Sequence, residues 1–141
     1  MSRAEVRVRE DLASDHEATI AAVVAAGRRV ADSWSRSTTT DPMALREHVE
    51  TTLRQRGLRE DLLAMLPDGA RILGTAIRGE PVPAAPYLVI GSRGPVCRAT
   101  LATGDRMVLE LRLFSVTPDR SAYAFREPEP ADALRVTLER D

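Results

Sequence analysis

The stretch that decides the fold is Pro95-Val96-Cys97-Arg98-Ala99-Thr100-Leu101-Ala102-Thr103-Gly104-Asp105-Arg106-Met107-Val108-Leu109-Glu110-Leu111. Cys97, Ala99 and Leu101 alternate with Arg98 and Thr100, and Met107, Leu109 and Leu111 alternate with Val108 and Glu110. A period of two places successive side chains on opposite faces of a strand, so each run reads as a half-buried strand. Thr103-Gly104-Asp105 between them reads as a hairpin turn. A three-residue loop predicts the register: Leu101 with Met107, Ala99 with Leu109 and Cys97 with Leu111 on an apolar face. The same register sets Arg98 against Glu110 on the other face, an opposite-charge cross-strand pair.

Working outward, Tyr87–Ile90 forms a second hairpin with Val96–Leu101 across Gly91-Ser92-Arg93-Gly94, bringing Leu88 beside Cys97 and Tyr87 beside Arg98. The strand beginning at Met107 extends to Val116. Tyr123 and Phe125 mark a further strand, Leu134–Leu138 closes the chain with another, and Arg71–Ile77 opens the set. Gly79–Pro86 contains Pro81, Pro83 and Pro86 and reads as a stiff surface loop, because proline supplies no amide hydrogen to a ladder.

Before Gly69 the period is helical. Val8, Leu12, His16, Ile20, Val23 and Val30 recur at steps of three and four, which predicts one long helix over residues 4–34. Gly27 inside it marks a kink or a close backbone approach. The hydroxyl-rich run Ser35–Thr40 is the connection. Asp41 and Pro42 start a second helix, since a carboxylate caps free amides and proline suits the first helical position. It carries Met43, Leu45, Val49 and Leu53 and ends at Gly57. A short third helix, Arg59–Leu66, presents Leu62, Leu63 and Leu66 before Pro67-Asp68-Gly69 turns the chain. The expectation is an α+β domain: N-terminal helices (one long, one medium, one short) packed on one face of a C-terminal antiparallel sheet of four to five strands. Residues 1–141 form a single domain, with 1–68 the helical half and 69–141 the strand half.

Composition narrows the function classes. The chain has 141 residues, 20 Arg with no Lys, 21 Asp plus Glu, a net charge of -1 and one cysteine. A domain of this size buries about two thirds of its unfolded surface and needs no disulfide or metal. Cys97 alone forbids an internal disulfide and a thiolate zinc site, and points to a reducing compartment. Ala18–Gly27, the longest uncharged run before residue 80, is half of what a membrane span requires. The alternating Arg3, Glu5, Arg7, Arg9 and Glu10 do not make a signal peptide. A cytoplasmic protein without membrane partners is expected. Arginine replacing lysine throughout is a mark of coding bias, so an Arg cluster alone says little about selected anion binding. The charge is nonetheless uneven, with 8 Arg and 4 acidic residues in residues 70–126.

The segment Pro81-Val82-Pro83-Ala84-Ala85-Pro86-Tyr87-Leu88-Val89-Ile90-Gly91-Ser92-Arg93-Gly94-Pro95-Val96-Cys97-Arg98-Ala99-Thr100, with Trp34 and Ser37-Thr38-Thr39-Thr40-Asp41, resembles an uncharacterised family of small haloarchaeal proteins. The resemblance covers much of the chain loosely and implies no activity and no functional residues.

Each chemistry-bearing residue has a plain structural reading. Cys97 alternates inward and is a buried, inert thiol. His16 and His48 lack metal-ligand spacing and are core or edge histidines. Gly74, Gly79, Gly91 and Gly94 match no phosphate loop and are turn glycines. Trp34 is a core anchor. No catalytic residues, metal ligands or cofactor are expected. Arg71, Arg78, Arg93, Arg98, Arg106 and Arg112 can together form an anion surface, with Tyr87 the one suitably placed aromatic. From these, Arg93, Arg98, Arg112 and Tyr87 are the candidate anion or partner surface. A solvated mixed-charge sheet face is the competing reading. Three functions follow. The leading one is a non-enzymatic intracellular interaction or structural domain, with an unknown protein partner or a second copy bound through the Ala-rich helix. The others are an RNA or polyanion-binding accessory protein using the sheet arginines, and a small-molecule-binding domain or enzyme with a pocket rimmed by the Pro-rich loop.

Overall fold

A computed structural model describes residues 1–140. Helix α1 (Arg3–Asp15) opens with a capping box: Ser2 Oγ accepts from the Glu5 amide at 3.1 Å and Glu5 Oε1 accepts from the Ser2 amide at 2.7 Å. Helix α2 (Glu17–Asp32) follows without a loop. The single helix expected over residues 4–34 is therefore two. The break falls at His16, whose φ of -116° and ψ of 28° leave the helical region. Apolar periodicity runs unbroken through both helices and carries no sign of it. The break lets α1 pack along the last strand while its neighbour lies beneath the second hairpin of helices. Gly27 does not kink α2; it grants close approach, because a Cβ there would lie 3.1 Å from both Leu113 Cδ1 and Phe125 Cε1.

Strand β1 (Thr38–Thr39) lies inside the run read as a connection. Helix α3 (Pro42–Gln55) starts as expected, with Asp41 Oδ1 accepting from the Ala44 amide at 3.1 Å. Gly57, at φ 68°, ends it and leads directly into α4 (Leu58–Ile72). Here the expectation of a short third helix, a turn at Pro67-Asp68-Gly69 and a strand over Arg71–Ile77 is overturned. The helix continues through Pro67 to Ile72. An interior proline costs about 3 kcal/mol, and the packing beyond it offsets that cost. Gly69 and Ala70 lie buried against the sheet, where a Cβ on Gly69 would stand 2.8 Å from Met107 Sδ. Of the expected strand, Ile77 alone pairs, in one bridge to Leu101. The change from helix to sheet thus falls after Ile72 rather than at Gly69.

The remaining elements are β2 (Leu88–Gly91), β3 (Gly94–Thr100), β4 (Arg106–Leu111), β5 (Phe114–Val116), β6 (Tyr123–Phe125), α5 (Pro130–Ala133) and β7 (Leu134–Glu139). A four-stranded antiparallel sheet has the order β2-β3-β4-β7, and β1-β6-β5 forms a separate three-stranded sheet. The strand expected over Met107–Val116 is split between the two. Arg112 leaves the first ladder, and the amides of Leu113 and Phe114 both donate to the Arg93 carbonyl, at 2.7 and 3.0 Å.

The β2–β3 register is the expected one, with Leu88 opposite Cys97 and Ser92-Arg93 at the turn. The β3–β4 register is displaced by two residues: Ala99 faces Met107 and Cys97 faces Leu109. Leu101 has left the ladder, its amide donating to the Asp105 carbonyl at 2.8 Å, so the connection is longer than three residues. A two-residue slip keeps every side chain on its face. Cys97, Ala99, Met107, Leu109, Leu111 and Val136 accordingly point into the core with the helices. The fold is α+β, with the N-terminal helices before the four-stranded sheet and packed on one face of it. Each fully buried Leu or Met there contributes about 1.5–3 kcal/mol. Among the described residues no helix is long and apolar enough to cross a membrane.

Candidate anion-binding cleft

The opposite face of the sheet holds the arginines. Thr100 lies opposite Arg106, and Arg106 opposite Glu139, across β3, β4 and β7. Two residues back along β3, Arg98 lies opposite Val108, while its own amide donates to the Tyr87 carbonyl at 2.9 Å and so sets Tyr87 at its side. The Ile77–Leu101 bridge delivers a third cation to the same place. The Arg78 amide donates to the Thr100 carbonyl at 2.8 Å, and its guanidinium Nη2 donates to the Ala102 carbonyl at 3.4 Å. Arg78, Arg98 and Arg106 line a cleft of about 380 Å³ together with Tyr87, Thr100 and Pro86. That volume is within the range of small-ligand sites.

The electrostatics are one-sided. Among the described residues no carboxylate lies within 4.0 Å of Arg78, Arg98 or Arg106; the ion pairs of Arg9, Arg28, Arg54, Arg71 and Arg112 are all elsewhere. Arg98 Nε is shielded from solvent and has no hydrogen-bond partner. A buried donor left unsatisfied costs about 1–3 kcal/mol, and in a native structure it calls for a cause.

The structure sorts the candidate residues. Tyr87 and Arg98 come together in the cleft. Arg93 sits at the exposed tip of the β2–β3 turn, outside it. Arg112 Nε donates to Glu110 Oε1 at 3.1 Å, so its charge is matched. The expected Arg98–Glu110 pair does not form: Glu110 faces Val96 and Arg135, and the slip of register leaves Arg98 without its counter-ion. Arg71 belongs to α4, where it pairs with Asp68 at 2.8 Å. Thr100 was missed, although strict alternation puts it on the face of Arg98.

The Pro-rich loop walls two cavities, since Pro86 lines the cleft while Pro83, Ala84 and Ala85 line a second one of about 660 Å³ against α3 and β2. Its polar lining mixes Arg46 and Arg59 with Glu47 and Glu50, and Arg59 Nε is likewise buried without a partner. Cys97 lies on the core side of β3, and burial pushes its thiol up to about 12. His48 Nδ1 lies 3.5 Å from Ser33 Oγ, and Trp34, half-buried, packs on Phe114 with ring centroids 5.8 Å apart. Among the described residues no group of three His, Cys, Asp or Glu side chains could hold a metal ion.

Residues 6–139 match the model of a family described as a domain of unknown function, DUF7988. No curated protein and no solved structure matches the chain.

Proposed function

We propose, for a chain that belongs to the DUF7988 family of unknown function, that it is a non-enzymatic binding module which engages an anionic partner through the Tyr87–Arg98 cleft. The observation that carries this reading is the convergence of Arg78, Arg98 and Arg106, none of them in an ion pair among the described residues and one with a buried, partnerless Nε. The lining residues favour binding over catalysis: guanidinium, phenol and hydroxyl groups hold negative charge, and none of the cleft's side chains is a carboxylate or imidazole poised to take a proton. Cytoplasmic residence, and the haloarchaeal source that the Pro81–Thr100 likeness points to, belong to the same proposal.

Association with a second copy through the Ala-rich helix is the less favoured form of the interaction reading. Ile20, Val23 and Ala26 of α2 are buried, and its outward side offers Ala18 and Ala25. The exposed large apolar side chains, Met1, Met43 and Val82, lie on other elements. The cavity behind Pro83–Ala85 favours a second reading, a small-molecule pocket, on the strength of its 660 Å³ and the Arg59 Nε; its balanced charge places it behind the cleft.

Heparin chromatography tests the proposal. Binding through unpaired arginines weakens steeply with salt, so wild type elutes later than an Arg78→Glu, Arg106→Glu double variant, and an Arg93→Glu, Arg112→Glu variant elutes nearer to wild type. Coincident elution of wild type and the Arg78, Arg106 variant removes the reading.

A further inference from the structure

Resting on the anion-binding reading, we infer that the ligand is a small molecule carrying a chain of two or three phosphoryl groups. The cleft does not end at Arg106. A neighbouring cavity of about 300 Å³ is lined by Arg78, Thr100 and Arg106 again, and continues to Gly104, Glu139 and Arg140. The three shared residues make one trough of the two cavities. It runs from Tyr87 and Arg98 on the β2–β3 side, past Arg78 and Arg106, to Arg140 beyond the end of β7.

The spacing of the cations decides the ligand. Arg98 lies level with Val108 and Thr137, so Arg140 stands two strand intervals across the sheet and three residues along β7 from it, about 10 Å in each direction, with Arg106 on the strand between. One tetrahedral anion gripped by Arg78, Arg98 and Arg106 fills the first cavity and leaves the second, beside Arg140, open. A linear oligophosphate can occupy both ends. Four guanidinium groups line the trough against the single carboxylate of Glu139, which lies opposite Arg106 in register yet makes no ion pair with it. Bidentate guanidinium forks match phosphoryl oxygens in geometry as well as charge. Cavities of about 380 and 300 Å³, with Pro86 and Tyr87 in the wall of the first, have the volume of a compact di- or triphosphate.

The experiment is calorimetric titration of the full chain at fixed low salt with inorganic phosphate, pyrophosphate, tripolyphosphate and a single-stranded oligonucleotide. The expected result is an affinity that rises at least tenfold from phosphate to tripolyphosphate. Arg98→Gln and Arg106→Gln weaken every phosphate probe. Arg140→Gln weakens tripolyphosphate at least fivefold more than it weakens phosphate. Arg7→Gln, an exposed change on α1, is the control, and unchanged thermal melts confirm that the variants fold. If phosphate binds as tightly as tripolyphosphate and Arg140→Gln affects both equally, the oligophosphate inference is overturned while the anion cleft stands. If no probe binds, or Arg98→Gln and Arg106→Gln change nothing, both are overturned. Oligonucleotide binding that exceeds tripolyphosphate and grows with length overturns the small ligand in favour of a polynucleotide.

Discussion

His16 Nε2 lies 2.6 Å from Asp68 Oδ2, and this contact fastens the break between α1 and α2 to the C-terminal third of α4. The same carboxylate turns its other oxygen to Arg71 at 2.8 Å. Both side chains of the pair are largely withdrawn from water, with 15% and 26% of their surface exposed, so losing one partner leaves the other poorly solvated. His16→Ala and Asp68→Ala are each expected to cost about 1–2 kcal/mol. The double variant should cost less than the two single changes together, because the shared contact is lost once. Chemical denaturation of the three variants measures the coupling, and strict additivity would dispose of it.

Glu5 performs a comparable task at the other end of α1. Its Oε1 accepts from the Ser2 amide and its Oε2 accepts from the Leu138 amide, both at 2.7 Å, which ties the helix start to β7. These amides, Ser2 first and Leu138 second, hold the carboxyl below its ordinary range. A depressed folded-state pKa contributes stability that is present above the unfolded value and is lost as pH falls through the folded one. Glu5→Ala should therefore cost about 1 kcal/mol at neutral pH, and the gap from wild type should narrow as the medium is acidified. Urea melts at neutral and acid pH check it; a gap independent of pH contradicts the assignment.

Much of this architecture is legible in the sequence, and the failures share a cause. The β2–β3 register follows from Leu88, Cys97 and the Ser92-Arg93 turn, all local. The β3–β4 register fails because the Leu101 amide turns to the Asp105 carbonyl and Leu101 is held in a bridge opposite Ile77, whose hydrogen bonds run from Arg78 to Thr100 and from Ala102 to Ala76, and nothing near Leu101 announces that bridge. Pro67-Asp68-Gly69 has the composition of a turn, yet it is helical because Met107, some forty residues away, packs against Gly69. The cleft was half visible: Tyr87 and Arg98 are neighbours in the local hairpin. The choice of Arg78 and Arg106 over Arg93 and Arg112 depends on one long-range bridge and on the slip that separates Arg98 from Glu110.

Glycine positions separate backbone cost from steric cost. Gly57 adopts φ 68° with open space around the position of a Cβ, so Gly57→Ala carries only the left-handed backbone penalty, about 1 kcal/mol. Gly94 begins β3 at φ 143°, and a Cβ there would lie 1.9 Å from the Leu111 carbonyl oxygen. Backbone cannot swing aside as a side chain can. Gly94→Ala should cost more than about 3 kcal/mol and disturb the β3–β4 edge, as amide exchange would show. Equal melting temperatures for the two variants would contradict this account.

The Cys97 thiol, pushed up to about 12 by burial from an ordinary value of 9.0, should be inert in the folded protein. At pH 8 its modification by a disulfide reagent should proceed only through unfolding, and denaturant should accelerate it by orders of magnitude. The sign of the pH dependence follows from the raised pKa. The thiol's contribution to stability is complete below about pH 9 and is lost as pH rises towards about 12. Rapid labelling under native conditions would mean that Cys97 is reachable from the surface.

Arg98 offers the sharpest separation of stability from function. Its Nε is buried without a partner, so the residue carries a desolvation cost that no ion pair repays. Methionine has a similar stem and no donor, and can lie along Val108 and Tyr87 without that cost. Arg98→Met should leave stability unchanged or raise it by up to about 1 kcal/mol, while lowering affinity for phosphate-bearing ligands at least tenfold. A residue kept for packing would behave in the opposite way, destabilising the fold when replaced and leaving binding intact. Denaturation and phosphate titration of this one variant distinguish the two, since a loss of several kcal/mol would show that Arg98 serves the fold and would remove the central cation from the cleft.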